Sequence, residues 1–342
     1  MTHDYSEISP EVREYLAQYT DIEDDSVKVF MTSTVFNVKN IEHPCKAIVN
    51  LRRVNDVRFV NKFQEAVNEK LVFGGLFITC VETQEQRTKR LLKKFKFGFA
   101  HLYLFFDFIF KRVFPKLPIL RKIYFILTNG RNRVMSKAET LGRLVSCGFE
   151  IDDVAEIHGL SYITLRKVKE PVYDTNPSFG PLFAMTRIGK NGKLIKVYKF
   201  RTMYPYAEYL QEYVYQQNKL AAGGKFADDF RITSWGKFLR KFWLDELPMV
   251  INLVKGDIKI VGVRPLSRHY FSLYTKELQE KRMYSKPGLL PPFYVDMPNT
   301  LEEIIDSELR YLRSYEERPV VTDVRYFLAI LNNIVIRRVR SK

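Results

Sequence analysis

A chain of 342 residues, 46% hydrophobic and 27% charged, is long enough for one large or two modest domains with buried cores, which excludes wholesale disorder. Lys and Arg number 55 against 39 Asp and Glu, so the net charge of +16 favours an anionic partner: nucleic acid, lipid headgroups or phosphorylated substrates. Three cysteines, Cys45, Cys80 and Cys147, stand far apart without CxxC pairing; this argues against a disulfide scaffold or a zinc site and fits a reducing compartment.

The amino terminus, MTHDYSEISPEVREY, is acidic and has no apolar core. It reads as neither a secretory signal nor a transit peptide, and the cytoplasmic side is the expected location. Residues 27–82 mix short β-like runs, VKVFMTSTVF, KAIVNL and GGLFITCVET, with one amphipathic helix candidate, DVRFVNKFQEAVNEKL, the pattern of an α/β region.

Between Gln86 and Leu144, fifteen Lys or Arg stand against two acids, Asp107 and Glu139, interleaved with aromatic residues from Phe95 to Phe114. A solvated charge run is not built this way. The apolar run FGFAHLYLFFDFIF, Phe97–Phe110, has fourteen residues. As a helix it extends about 21 Å, short of the roughly 30 Å hydrocarbon core, so it is expected to be interfacial, re-entrant or buried. Pro115 and Pro118 are expected to break the helix and turn the chain back towards a second apolar patch, Ile123–Leu127. The favoured reading anchors residues Leu91–Leu127 to one leaflet, with Lys93, Lys94, Lys111, Arg112, Arg121 and Lys122 at the headgroups. Burial in a soluble core is the alternative.

Next come SKAETLGRLVSCGFEI and SYITLRKVK. With the preceding helix, GG turn and strand they resemble the later half of a class I methyltransferase, which implies a partial methyltransferase-like α/β fold. The glycine-rich loop that would hold the adenosyl cofactor is missing, so no methyl transfer is expected. EPVYDTNPSFGP, residues 170–181, reads as a linker and domain boundary. PLFAMTRIGKNGKLIKVYKFRTM then reads as a hairpin turning at Asn191 and Gly192. The expected domains are residues 1–86 and 129–175 as α/β, 87–128 as a basic aromatic hairpin, and 176–342 as a catalytic domain ending in an amphipathic helix, Tyr326–Arg340. The histidines show no ligand spacing and read as structural.

WLDELPMVINLVKG reads as a short amphipathic helix starting near Asp245, with Leu247, Val250, Ile251 and Val254 on one apolar face, ending where Gly256 follows Lys255. Asp245 and Glu246 thus fall at a helix amino terminus, where acids commonly complement the dipole and where free amides favour phosphate.

From Phe179 onward the chain resembles the bacterial sugar transferase family, the monotopic phosphoglycosyl transferases. The motifs are FGPLF with RIGKNGK (179–193), VYKFRTM (197–203), DDFRIT with GKFLRKFWLDELP (228–248), NLVKGDIKIVGVRP (252–265) and KPG (286–288). Weaker likeness runs through ELRYLRSYEERPVVTDVRYFLAIL, so about half the chain is covered. The resemblance implies a membrane-associated α+β catalytic module with a re-entrant or interfacial helix at the cytoplasmic face of the bacterial inner membrane. It implies transfer of a sugar phosphate from a nucleotide diphosphate sugar, expected to be a UDP-sugar, to polyprenyl phosphate, expected to be undecaprenyl phosphate. Asp245 is then the nucleophile, Glu246 the ligand of Mg²⁺, and Arg264, Arg201, Arg231, Arg240 and Lys286 the substrate phosphate-binding residues. Membrane lipid is an implied partner and nucleic acid is not. Family members read GPRP where this chain has Gly262, Val263, Arg264 and Pro265, and a Gly- and Gln-rich segment where it has LLPPFYVDMP. They also place the membrane helix a short way before GPLF, whereas about seventy residues separate Phe110 from Pro181 here. The rival reading is a non-enzymatic basic protein that binds membrane or nucleic acid, with Asp245 and Glu246 as helix-capping acids.

Overall fold

Three parallel strands lead the chain: β1 (Val27–Phe30), β2 (Cys45–Asn50) and β3 (Leu71–Val81). β4 (Phe149–Ile157) and β5 (Leu160–Lys167) form a hairpin through His158 and Gly159, both at positive φ as a two-residue turn requires. β5 inserts antiparallel beside β3, giving the order β1-β2-β3-β5-β4. Ile48, Phe77, Ile78, Ile163 and Leu165 are fully buried in this sheet, as expected for near-continuous apolar strands covered by helices. The computed structural model describes residues 8–95, 99–173, 179–218 and 229–335.

The chain divides into two units. The first comprises residues 1–179 and 204–217, the second 180–203 and 218–342. In the first, the expected helix over residues 56–71 forms at Val60–Lys70, and the run VKVFMTSTVF is a strand only to Phe30 before a short helix, Val35–Lys39. Helix Lys137–Ser146 packs almost wholly buried, and its Gly142 lies under the Tyr206 carbonyl, where any Cβ would collide.

The basic aromatic stretch is a helical hairpin. Helix Phe99–Phe108 continues through a wider turn, Ile109–Val113, and a tight one, Phe114–Lys116, before helix Pro118–Thr128. Phe110 meets Tyr124 edge-on at 5.5 Å, so the two arms pack together. Phe97 lies outside the described residues. Asp107 is buried within the first arm and accepts two hydrogen bonds from Arg87, at 2.7 and 2.9 Å, and an ion pair from Lys111 at 2.8 Å. Arg112, also buried, pairs with Glu139 at 2.5 Å and donates to the Val134 carbonyl. Lys111 and Arg112, expected at headgroups, instead turn inward to Asp107 and Glu139; a buried carboxylate is stable only when paired, and these cations supply the pairs. Phe99, Phe105, Phe106, Ile119, Ile126 and Leu127 stay more than half exposed. None of the described helices is long and apolar enough to cross a membrane.

The second unit is also mixed α/β. β6 (Leu182–Ile188) and β7 (Leu194–Phe200) pair antiparallel, turning through Asn191 and Gly192 at φ 55° and 73°. β8 (Lys259–Val261) and β9 (Gly288–Leu290) pair in parallel. Helices Lys276–Tyr284, Leu301–Glu317 and Pro319–Val335 cover them, burying Val261, Val263, Leu278, Tyr311 and Leu312. The last helix begins seven residues before the expected Tyr326, and residues 336–340 lie outside the described residues.

Candidate active site

In the β6/β7 hairpin Met185 stands opposite Val197, so Met185, Arg187, Val197 and Lys199 share one face by the two-residue alternation of strands. These four line a cavity of about 370 Å³ together with Glu246 and Arg264. The two acids come from a tight helical segment, Leu244–Met249, which continues as helix Val250–Val254. It starts after Trp243, whose left-handed backbone (φ 55°) is costly for a bulky residue and is held by packing of its ring on Tyr294 at 4.9 Å. The helix stops at Lys255, with Gly256 at φ 72°, where expected.

Its apolar face points outward. Leu247, Val250, Ile251 and Val254 do share a face, but that face is exposed. Inward point Met249 and the fully buried Asn252, whose side chain donates to the Lys196 carbonyl at 2.7 Å and accepts from the Tyr198 amide at 3.1 Å. A buried amide must be satisfied, and only this orientation ties the helix to β7.

Lys199 Nζ lies 2.5 Å from Glu246 Oε1, and Arg264 approaches the same oxygen at 3.9 Å. Asp245 is half-buried; burial first, then the adjacent Glu246 charge, raise its pKa above the ordinary carboxylate value, while Lys199 and Arg240 pull it down. Arg264 follows β8 with its side chain 64% exposed, free to reach a ligand. Its carbonyl accepts from Arg282, which is itself paired with buried Glu308.

The other expected phosphate ligands stand elsewhere in this unit. Arg201 donates to the Gly180 carbonyl at 3.1 Å and lies over Phe183. Arg231 is buried in an ion pair with Asp229 at 2.7 Å. Arg240 donates to Thr202 Oγ1 at 3.0 Å, and burial lowers its pKa despite the nearby charges of Asp245 and Asp229. Lys286 is exposed beside Gly256. Lys199 and Arg187 went unremarked in the sequence; strand alternation with Val197 and Met185 was the signal that could have found them.

Among the described residues no group of three or more His, Cys, Asp or Glu gathers as a metal cage. Glu246 could still supply one ligand to Mg²⁺. Both cation contacts of Glu246 fall on Oε1, and Mg²⁺ needs only one or two carboxylates when water and substrate phosphates complete its sphere.

Residues 172–337 match the family described as bacterial sugar transferase. The chain is similar to the galactosyl transferase CpsE of Streptococcus agalactiae serotype III, 32% identical over 162 residues, 46% of this chain and 35% of that protein. It is also similar to the uncharacterized sugar transferase EpsL of Bacillus subtilis, 38% identical over 107 residues, 31% of this chain and 46% of the relative. The undecaprenyl-phosphate galactose phosphotransferase of Salmonella typhimurium is 32% identical over 136 residues, 38% of this chain and 28% of its own length. The alignments thus span less than half of each relative. The likeness read from the ordered motifs stands over the second half of the chain.

Proposed function

We propose that this chain, whose residues 172–337 match the bacterial sugar transferases, is a phosphoglycosyl transferase that moves a sugar phosphate from a UDP-sugar to undecaprenyl phosphate. The observation that carries the reading is a cation-lined cavity that holds Glu246, paired with Lys199, with Asp245 half-buried as its neighbour in the same helical segment. An Asp245 carboxylate oxygen attacks the sugar-bearing phosphorus, the bond to the nucleoside monophosphate breaks, and that group leaves with the bond electrons. A phosphate oxygen of the acceptor then attacks the same phosphorus and restores Asp245. Arg264, exposed at the strand end, grips phosphate oxygens with its planar fork. Mg²⁺ held by Glu246 would supply charge neutralisation at the substrate phosphates.

The apolar face of the hairpin and its flanking cations support association with the membrane interface, on the cytoplasmic side, where a polyprenyl phosphate is met. The order β1-β2-β3-β5-β4, with one reversed strand, supports the methyltransferase-like reading of the fold of the first unit.

The test is incubation of purified protein with a panel of nucleotide diphosphate sugars, Mg²⁺ and undecaprenyl phosphate. Release of nucleoside monophosphate with a UDP-sugar is expected, and Asp245→Asn should abolish both release and any covalent phosphosugar adduct. Turnover in Asp245→Asn close to that of the unchanged protein would sink the mechanism.

A further inference from the structure

A second cavity, of about 880 Å³, opens in the first unit, in the size range of small-molecule sites. Apart from Tyr173, Phe179 and Tyr206 its lining lies outside residues 172–337. Among the described residues seven Lys or Arg line it against two carboxylates, Glu65 and Glu139. Three of the seven are accounted for: Arg112 and Arg143 pair with Glu139, and Lys111 with Asp107. Arg58, Lys62, Arg121 and Arg133 have no carboxylate within ion-pair distance among the described residues.

Arg133 is the most demanding of the four. Its terminal nitrogen donates to the Val57 carbonyl, but its Nε is buried and, among the described residues, has no hydrogen-bond partner. Burial first, then the neighbouring Arg143 charge, push its pKa down to about 10. A buried guanidinium with an unused donor is unfavourable unless an anion completes it. Arg58 sits over the rings of Phe59 and Phe125, 5.2 and 5.4 Å from their centroids, so the cationic wall is backed by aromatic surface.

We propose that this cavity binds a phosphate-bearing ligand, a phosphomonoester or diphosphate held by Arg58, Lys62, Arg121 and Arg133, with its organic part against Phe59 and Phe125. Its described lining belongs to the first unit alone, and its binding does not call on Asp245. The phosphate has two sources, a soluble small molecule or a lipid headgroup. Arg121 and Phe125 belong to the hairpin whose outer face is apolar, so a lipid-borne phosphate has a path to the cavity.

The test uses the full chain and two probes. Inorganic pyrophosphate is titrated calorimetrically, and flotation on phosphatidic acid vesicles is compared with flotation on phosphatidylcholine vesicles at equal salt. Arg133→Gln should weaken pyrophosphate binding about tenfold or more, the loss expected for a charge-assisted hydrogen bond. Because a buried substitution risks the fold, the more peripheral pair Arg58→Gln and Arg121→Gln is measured beside it and should weaken binding by a similar factor. Tight pyrophosphate binding without preference for phosphatidic acid assigns a soluble ligand; a preference lost in Arg121→Gln assigns a lipid headgroup. Binding lost in Arg264→Lys but kept in Arg133→Gln and in the peripheral pair, or no response to either probe, overturns the proposal.

Discussion

The surroundings of Asp245 disfavour its charge, and this has a consequence for stability as well as chemistry. Its pKa is raised, by burial first and by Glu246 second. A carboxyl that binds its proton more tightly folded than unfolded weakens the fold as pH climbs from the ordinary value of 3.8 through the raised one, and the penalty is complete above it. Asp245→Asn should therefore melt at or above the temperature of the unchanged protein at pH 7 while losing transfer, and a fall of several degrees would mark the residue as structural. The acid limb of the rate profile should lie above the ordinary carboxylate range, because the ionised form attacks. Glu246→Gln removes the like charge and should move that limb to lower pH, readable from the residual rate between pH 4 and 7. LDELP within its ordered motifs was enough to single out both acids. Lys199 was not singled out, because its contact with Glu246 joins residues 47 apart, a pairing made only when β7 packs against the helical segment.

The hairpin and the helix after Asp245 raise the same question, which medium covers an apolar face. In the hairpin Asp107 faces inward and Phe105, Phe106 and Ile126 face out. Removing one partner of a buried ion pair costs about 3–5 kcal/mol. Asp107→Ala should thus lower the melting temperature and open the chain between Phe95 and Arg131 to proteolysis, whereas Phe105→Ser with Phe106→Ser should leave melting unchanged and reduce flotation on vesicles. Equal flotation in that double variant would count against an interfacial face. Composition and length showed an apolar segment too short to span, with Pro115 as a break. They did not show that Lys111 and Arg112 turn inward, since their carboxylates lie one helical turn away in one case and at residue 139 in the other. Periodicity likewise grouped Leu247, Val250, Ile251 and Val254, and could not say that Asn252, held by β7, would point that face outward.

At the scale of the whole chain, two units share an interrupted sequence: residues 204–217 return to the first unit after β6 and β7 have begun the second. Gly142 permits this return by leaving room for the Tyr206 carbonyl. Gly142→Ala should overpack that contact by about 1–3 kcal/mol, seen as a lower melting temperature, and an unchanged melt would show that the segment yields freely. The proline-rich stretch before Pro181 was legible as a boundary, because linkers are written in local backbone chemistry. So were the α/β character, the hairpin turn at Asn191 and Gly192, and the likeness of the second half to the sugar transferases, all carried by short-range pattern. The return of residues 204–217, the Lys199–Glu246 pair, the outward apolar faces and the cationic cavity around Arg133 were decided by tertiary structure alone. Each joins side chains distant in sequence, and whether a charge finds a partner or a face finds cover depends on which distant residues packing brings beside it.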